Sequence, residues 1–175
     1  AGAKAMASDP RVATIEAALE VRGDAIQEAA PWGLDRIDQF ERPLNGLYGY
    51  PAAPHPVHVY VVDTGFTMHP EFTGRLGNGV DTNPTNPGGP PGPQPSAACS
   101  DHGTHVAGIV GGATFGVAKS AILHSVRVLN CEARGDSTYV LAGLQWIRDN
   151  FQAPAVVNMS LSIPVSSPGA SLVED

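Results

Sequence analysis

Two histidines and one aspartate lie in the parts of the sequence best suited to acid–base chemistry. His102 and His105 are three positions apart and open a segment of small residues that runs to Gly112. Small residues at this density let a helix pack closely against its neighbours, and the positive end of that helix suits His102 to act as a base. Asp63 ends a β-branched run. An acid at a strand end and a histidine at a helix start are the partners that activate a hydroxyl nucleophile.

The elements that must position these residues alternate between strand and helix. Apolar, β-branched runs predict strands, and apolar residues at helical spacing after a cap at Asp136 predict an amphipathic helix. The predicted strands are 57–63, 121–129 and 155–161, and the amphipathic helix is 137–150. Short links between such elements favour right-handed crossovers. We therefore expect an α/β fold of three layers, a mainly parallel sheet with helices on both faces.

Two motifs carry a resemblance to a known family. The sequence reads VVDTG at 61–65 and HGTHVAG at 102–108. These segments resemble the aspartate and histidine motifs of the subtilisin-like peptidases, or subtilases, in particular the proteinase K and aqualysin branch. The resemblance implies that Asp63 is the orienting acid, that His102 is the general base and that His105 is a structural neighbour. The family's serine motif is not found before the chain ends at Asp175, so we expect a truncated subtilisin-like fold.

The same resemblance divides the chain into two parts. Residues 1–28 are expected to be a propeptide remnant or tail, and residues 29–175 the N-terminal part of a subtilisin-like peptidase domain. Within the first part, 11–21 resembles the last strand of the family's inhibitory propeptide, although its apolar residues also fit one helical face. The family would cut the chain within 23–30.

A substrate-binding wall is expected near the end of the chain. The segment 154–161 matches that wall in the family, which implies that Ser160, Leu161 and Ser162 border the pocket for the residue before the scissile bond. The family continues with two glycines, whereas this chain has Ser162, Ile163 and Pro164. Because the family serine is missing, Ser160 is the candidate substitute nucleophile and Ser162 a weaker one.

Possible structural cross-links involve two cysteines and a polar cluster. The resemblance implies that Cys99 and Cys131 form a disulfide, as expected in a secreted protein. Metal binding by these cysteines is the alternative, but they lack the paired spacing of a zinc site. Asp35, Asp38 and Gln39 offer the oxygen ligands that calcium prefers. A helix cap with solvated charges explains them equally well, and no cofactor is required.

The composition and net charge of the chain exclude some classes of binding partner. The chain has 175 residues and a formal net charge of −7, which argues against nucleic acid or an anionic membrane as a partner and suits a secreted protein.

The segment 81–96 is rich in proline and glycine, which predicts a solvated surface loop, with a ligand for a recognition domain as the alternative. Truncation would expose 155–161 as an apolar sheet edge. We therefore expect a homodimer through that edge, with shielding of the edge by the propeptide remnant or the C-terminal tail as the alternative.

Three functions compete on these observations. The first is a serine hydrolase with weak activity, more esterase-like than proteolytic, which acts on peptides or activated esters. The second is a non-catalytic fragment or half-domain of a secreted serine protease. The third, an unrelated α/β binding protein with Asp63 and His102 in its core, is disfavoured by the two matched motifs.

Overall fold

The computed structural model describes residues 9–16, 24–51, 56–66, 68–84 and 100–162. The strands in these ranges are β1 (Asp24–Glu28), β2 (Leu47–Pro51), β3 (His58–Asp63), β4 (Val80–Asp81), β5 (Ile122–Arg127) and β6 (Ala155–Asn158). The α-helices in the same ranges are α1 (Trp32–Ile37), α2 (His102–Gly111) and α3 (Ser137–Asn150), and a short 3-10 helix spans Pro70–Phe72.

Four parallel strands form the central sheet in the order β4–β5–β3–β6. The central strand β3 is buried from its second residue onward, as expected for a β-branched strand that is covered on both faces. Asp63, its last residue, pairs in register with Arg127 of β5. The predicted parallel sheet is therefore confirmed, with each strand slightly shorter than its apolar run.

Helices cover both faces of this sheet. On one face, α2 contributes Ala107 to a core that includes Val59 and Val61. On the other face, α3 contributes Val140 and Ile147 to a second core, which also contains Tyr60, Val62, Val126 and Val128. Alternate side chains of β3 thus point to opposite helices, as the twofold repeat of a strand requires. The three-layer α/β architecture is confirmed.

Helix α3 begins and ends at the predicted residues. Asp136 lies in extended conformation before the helix, and its carboxylate accepts a hydrogen bond from the Thr138 backbone N–H at 2.8 Å. This bond satisfies one of the backbone donors that the first helical turn leaves free. The predicted cap is confirmed.

The strand expected over 11–21 is not found in its described part. Residues 12–16 belong to no helix or strand, and 17–21 lie outside the described residues. The nearest strand is instead β1, which pairs antiparallel with β2, so that Asp24 faces Pro51 and Glu28 faces Leu47. A strand forms where a partner is available, and β2 supplies that partner to 24–28. The predicted domain boundary after residue 28 stays a prediction.

One edge of the central sheet is open within the described ranges. Strand β6 pairs with β3 and lies at the end of the strand order. Val156 and Val157 are 54% and 41% exposed. The predicted apolar edge strand is therefore present among the described residues.

Two further observations concern the proline-rich segment and the length and polarity of the helices. Most of the proline-rich segment, 85–96, lies outside the described residues, so its conformation stays a prediction. Within the described ranges, every helix is too short or too polar to span a bilayer.

Candidate active site

Asp63 is held rigidly at the carboxyl end of β3. Its side chain is fully buried, and its Oδ1 accepts a hydrogen bond of 2.6 Å from the Thr64 backbone N–H. Its carbonyl oxygen accepts hydrogen bonds from the backbone N–H groups of Val128 and Leu129. A buried carboxylate needs such partners, because desolvation of an unpaired charge is costly. Both the backbone and the carboxylate of Asp63 are thereby fixed.

His102 is the first residue of α2 and lies directly against Asp63. Its Nδ1 is 2.8 Å from Asp63 Oδ1 and 2.9 Å from Oδ2. A carboxylate only accepts hydrogen bonds, so Nδ1 carries the proton and the lone pair is on Nε2. The imidazole side chain is 46% exposed, whereas the carboxylate is 0% exposed. This arrangement leaves Nε2 able to take a proton from a hydroxyl group.

Gly103 fixes the first turn of α2 against the turn after β3. Its backbone N–H donates a hydrogen bond of 2.9 Å to Thr64 Oγ1. A Cβ on Gly103 would lie 2.2 Å from the carbonyl oxygen of Gly65. Sequence reasoning assigned no role to Thr64 or Gly103. Their presence inside the two matched motifs was the available signal.

A buried ionic pair also lies at this end of the sheet and was missed by sequence reasoning. Arg127 is 0% exposed and Asp81 is 4% exposed, with 3.5 Å between Arg127 Nη1 and Asp81 Oδ2. Asp81 pairs in register with Arg127, which pairs in register with Asp63. Three charged residues therefore follow one another across three parallel strands. The signal in the sequence was a charged residue at the end of each apolar run.

Ser160, the first candidate nucleophile, bonds to a neighbour in its own segment. Ser160 is exposed, and its Oγ donates a hydrogen bond of 3.1 Å to Asn158 Oδ1. Asn158, the last residue of β6, pairs with Val61 of β3. Ser160 lies two residues after Asn158 in the sequence, as Asp63 lies two residues after Val61. Among the described residues, no hydrogen bond joins Ser160 to His102.

The remaining residues of the predicted wall differ in burial. Leu161 is partly buried against the α3-side core, and Ser162 is exposed. Since β6 ends at Asn158, all three wall residues lie just beyond the strand. Their predicted contact with substrate stays a prediction.

His105 is exposed, and none of the hydrogen bonds of the dyad involves its side chain. It lines an apolar groove of ≈ 830 Å³ between α1 and α2, together with Trp32, Ile109 and Phe115. This placement agrees with a structural role for His105 rather than with acid–base chemistry at Asp63.

The predicted calcium ligands are mostly engaged by the backbone. The buried Asp35 carboxylate accepts hydrogen bonds from the N–H groups of Asn45 at 3.3 Å and Gly46 at 2.7 Å. Asp38 Oδ2 accepts one from Gly49 N–H at 2.7 Å. The Gln39 side-chain oxygen is buried without a hydrogen-bond partner, so it is the oxygen of this set whose orphaned lone pairs best fit a cation.

Metal ligation and the disulfide stay predictions. Within the described ranges, no three histidine, cysteine, aspartate or glutamate side chains are grouped as metal ligands. Cys131 lies in the loop after β5, whereas Cys99 lies outside the described residues.

Sequence comparisons identify relatives of this arrangement. A family model described as "Subtilase family" matches residues 55–174. The chain is 54% identical over 154 residues to "Extracellular serine proteinase" of Thermus sp. (strain Rt41A), over 87% of this chain and 36% of the relative. It is 42% identical over 165 residues to "Alkaline serine exoprotease A" of Vibrio alginolyticus, over 90% of this chain and 30% of the relative.

A solved structure has the same arrangement of elements. The crystal structure of a cold adapted subtilisin-like serine proteinase matches with a TM-score of 0.64 and 41% sequence identity, over 77% of this chain and 47% of that chain. The chain thus spans about a third of the length of the two relatives and about half of the solved structure.

Proposed function

Because the chain belongs to the subtilase family, we propose that it carries the acid–base pair of a serine hydrolase. The observation that carries this proposal is the contact of 2.8 Å between His102 Nδ1 and buried Asp63. Asp63 holds the imidazole in the tautomer whose Nε2 accepts a proton. His102 then acts as general base toward a serine hydroxyl and as general acid toward the leaving group.

The nucleophile in this proposal is Ser160, with Ser162 as the second candidate. The place of Ser160 in the chain supports this choice, because it follows the end of β6 at Asn158 and β6 lies beside the strand that ends at Asp63. Its hydroxyl would have to leave Asn158 and turn toward His102 Nε2. A rotation about one side-chain torsion angle is a small change for an exposed serine.

The proposed substrates are activated esters in preference to peptides. A site formed by these 175 residues alone would work without the family's oxyanion asparagine, and one missing oxyanion donor costs roughly 100- to 1000-fold in rate. An ester with a good leaving group has a lower barrier to acyl transfer than an amide. Ester turnover would therefore survive this loss better than proteolysis.

A non-catalytic half-domain is the second candidate function. It is favoured by the Ser160–Asn158 hydrogen bond, which leaves His102 Nε2 without a serine partner among the described residues. It is favoured also by the extent of the match, which covers 36% and 30% of the two relatives. In this case Asp63 and His102 keep the family geometry without turnover.

Hydrolysis of a short-chain nitrophenyl ester and of a chromogenic peptide decides between the two. We expect slow ester turnover that falls by about 100-fold or more in His102→Ala and in Ser160→Ala. His105→Ala is the matched control, because His105 is on the same helix but lines the apolar groove. Ester turnover that is unchanged in His102→Ala would overturn the catalytic proposal.

A serine-directed phosphonate tests the nucleophile directly. Mass spectrometry of the labelled chain should place the adduct on Ser160, or on Ser162 if that residue is the nucleophile. Ser100→Ala is the control, since Ser100 Oγ accepts a hydrogen bond from His102 N–H at 3.5 Å and caps the helix. Absence of any adduct favours the half-domain.

We further propose that two copies of the chain pair through β6. The exposed Val156 and Val157 on an edge strand support this, because parallel strands usually have both faces covered and an exposed apolar edge tends to pair with another chain. Two β6 strands related by a twofold axis would run antiparallel, which makes the same four residues complementary to themselves.

The oligomeric state of the chain in solution tests whether β6 is a dimer interface. Sedimentation equilibrium of the purified chain should give a dimer, and Val157→Lys should give a monomer, because a lysine on an edge strand opposes pairing. Ile26→Lys is the matched control, since Ile26 is also an exposed apolar residue, at 63%, on a strand of the other sheet. A wild-type monomer would contradict the dimer.

We also propose that the protein is extracellular, that it has a disulfide and that it binds calcium. The printed name of the Thermus relative, an extracellular proteinase, supports an extracellular location. There a Cys99–Cys131 disulfide would persist and contribute roughly 3–4 kcal/mol in the chain-entropy model. Peptide mapping of the unreduced chain tests the disulfide. Calorimetric titration with Ca²⁺ beside Gln39→Ala tests the cation.

A further inference from the structure

We propose that Arg127 is a positioning residue for the Asp63–His102 pair, which it supports by packing beneath Gly65. The inference rests on the proposed function, since it concerns the base of that hydrolase. The juxtaposition that carries it is a fully buried arginine whose aliphatic stem lies under the turn that follows Asp63.

The side chain of Arg127 packs against Gly65. Gly65 has φ +78°, a conformation that glycine adopts without strain and other residues rarely do. A Cβ built on Gly65 would lie 3.1 Å from Arg127 Cδ, 3.3 Å from Cγ and 3.4 Å from Cβ. The stem of Arg127 therefore fills the space beneath the turn along its whole length.

Arg127 is itself immobilised by burial and by its partners on both sides. It is 0% exposed, and its backbone pairs in register with Asp63 on one side and with Asp81 on the other. Its guanidinium reaches the Asp81 carboxylate, with 3.5 Å between Nη1 and Oδ2. A side chain held at both ends provides a rigid support, because buried groups are close-packed and rarely change rotamer.

Gly65 is linked to His102 through Gly103, the next residue of α2. The carbonyl oxygen of Gly65 lies so close to Gly103 that no Cβ fits between them. The Gly103 N–H donates to Thr64 Oγ1 at 2.9 Å. If the turn at 64–65 sinks into space left by a shorter side chain, the first turn of α2 loses this contact and His102 moves away from Asp63.

The stem and the charge of Arg127 have separable effects. Removal of the charge alone would leave Asp81 buried near an uncharged residue, which destabilises the fold for a reason unrelated to Gly65. The test therefore combines each Arg127 substitution with Asp81→Asn. In that background, methionine keeps an unbranched stem of similar length, whereas alanine removes every atom beyond Cβ.

The readout is the Nδ1 proton of His102, observed by NMR in the full chain labelled with ¹⁵N-histidine. His124 supplies an internal reference, because its Nδ1 bonds to Asn78 oxygens at 2.8 Å and not to a member of the dyad. We expect Arg127→Met/Asp81→Asn to keep both signals. In Arg127→Ala/Asp81→Asn, we expect the His102 proton to exchange with water at least about tenfold faster, with the His124 signal unchanged.

Two results would overturn the proposal. One is a His102 signal in the alanine variant that matches the methionine variant. The other is equal loss of that signal in both variants. If the alanine variant also loses the His124 signal, Arg127→Val/Asp81→Asn replaces it, because valine lacks the Cδ nearest to Gly65 but favours a strand. The hydrogen bond is measured without turnover, so failure of this inference is distinguishable from failure of the proposed hydrolase.

Discussion

Gly103 and Gly65 meet backbone to backbone: a Cβ on Gly103 would lie 2.2 Å from the carbonyl oxygen of Gly65. One glycine belongs to the first turn of α2 and the other follows the end of β3. This approach lets His102, beside Gly103, reach the Asp63 carboxylate at 2.8 Å. The dyad therefore depends on the absence of a side chain at Gly103 as much as on its own two residues.

Substitution of Gly103 by alanine should separate the dyad. A heavy atom within 3.0 Å of a buried backbone oxygen forces the helix to shift, and overpacking of this kind costs about 1–3 kcal/mol. We expect a lower unfolding midpoint in urea and loss of the His102 Nδ1 proton signal. Any ester turnover should fall with that signal.

The matched control for this substitution is Gly108→Ala on the same helix. A Cβ on Gly108 meets nothing within 4 Å. Alanine there should leave the dyad intact and raise stability by roughly 0.5–1 kcal/mol through helix propensity. Equal destabilisation by both alanines would contradict the importance of the Gly103–Gly65 contact.

His124 makes the stability of the chain depend on pH. Burial, which is the largest cause, and the neighbouring His58 lower the pKa of His124, while its hydrogen bond to Asn78 opposes them. The Nδ1 proton faces Asn78 oxygens, so Nε2 accepts from His58 Nδ1 at 2.8 Å. An added proton on Nε2 would break that bond.

The sign follows from the lowered pKa of His124. Below about pH 6.5 the unfolded chain binds a proton that the folded chain does not. We expect the free energy of unfolding to fall as pH drops from 7.5 to 5.5, with a slope from His124 of at most about 1.4 kcal/mol per pH unit. Urea unfolding at several pH values measures it.

A variant isolates the contribution of His124. In His124→Gln, the pH dependence between 7.5 and 5.5 should become shallower, even though the variant is less stable at every pH. His105→Gln is the control, because His105 is exposed on α2. A slope that is the same in wild type and His124→Gln would show that this residue does not govern the acid sensitivity.

The dyad and the layers could be predicted because their signals are local in the sequence. Asp63 ends a β-branched run and His102 begins a run of small residues. The helix at 137–150 has both a cap and apolar residues at helical spacing. Each of these features depends on neighbours within a few positions of the chain, which is the range over which periodicity and capping act.

Features that depend on distant pairing could not be predicted. Residues 11–21 have an apolar pattern, but the strand forms at 24–28, where β2 offers a partner. β6 ends at Asn158 although the apolar run continues, because its pairing with β3 ends at Val61. The role of Arg127 beneath Gly65 depends on the register of two strands, which no short-range pattern specifies.

Glu71 should anchor the loop that follows α2. Burial raises the pKa of Glu71, but hydrogen bonds from Thr114 and Phe115 outweigh it and the net pKa is lowered. The bonds from the two backbone N–H groups are 2.7 and 3.3 Å long. Their contribution to stability is present above about pH 4.5 and is lost as pH falls through the lowered pKa.

Substitution of Glu71 by glutamine tests this anchor. Glutamine keeps an acceptor oxygen but loses the charge that strengthens both bonds. We expect the amide protons of Thr114 and Phe115 to exchange several-fold faster, with a weaker loss of stability between pH 5 and pH 3. Glu132→Gln, at an exposed loop position, should change neither quantity. Unchanged exchange at Thr114 in Glu71→Gln would contradict the anchoring role.

Asp136 should contribute to stability through the start of α3. Hydrogen bonds from the backbone N–H and the hydroxyl of Thr138, at 2.8 and 2.7 Å, lower the pKa of Asp136. Asp136→Ala removes the cap and should lower the melting temperature by a few degrees. Asp136→Asn keeps a capping oxygen without the charge, so it should lose less.

Circular dichroism melts at pH 7 and pH 3 distinguish the cap from the charge. The lowered pKa of Asp136 means that its carboxylate stabilises the fold above about pH 3.8 and ceases to do so as pH falls. The difference between wild type and Asp136→Asn should therefore shrink at pH 3, whereas the deficit of Asp136→Ala should persist in part. Asp149→Ala, at the other end of α3 where an acid opposes the helix dipole, should not lower the melting temperature. A deficit in Asp149→Ala as large as that in Asp136→Ala would mean that the loss reflects helix charge in general and not the cap.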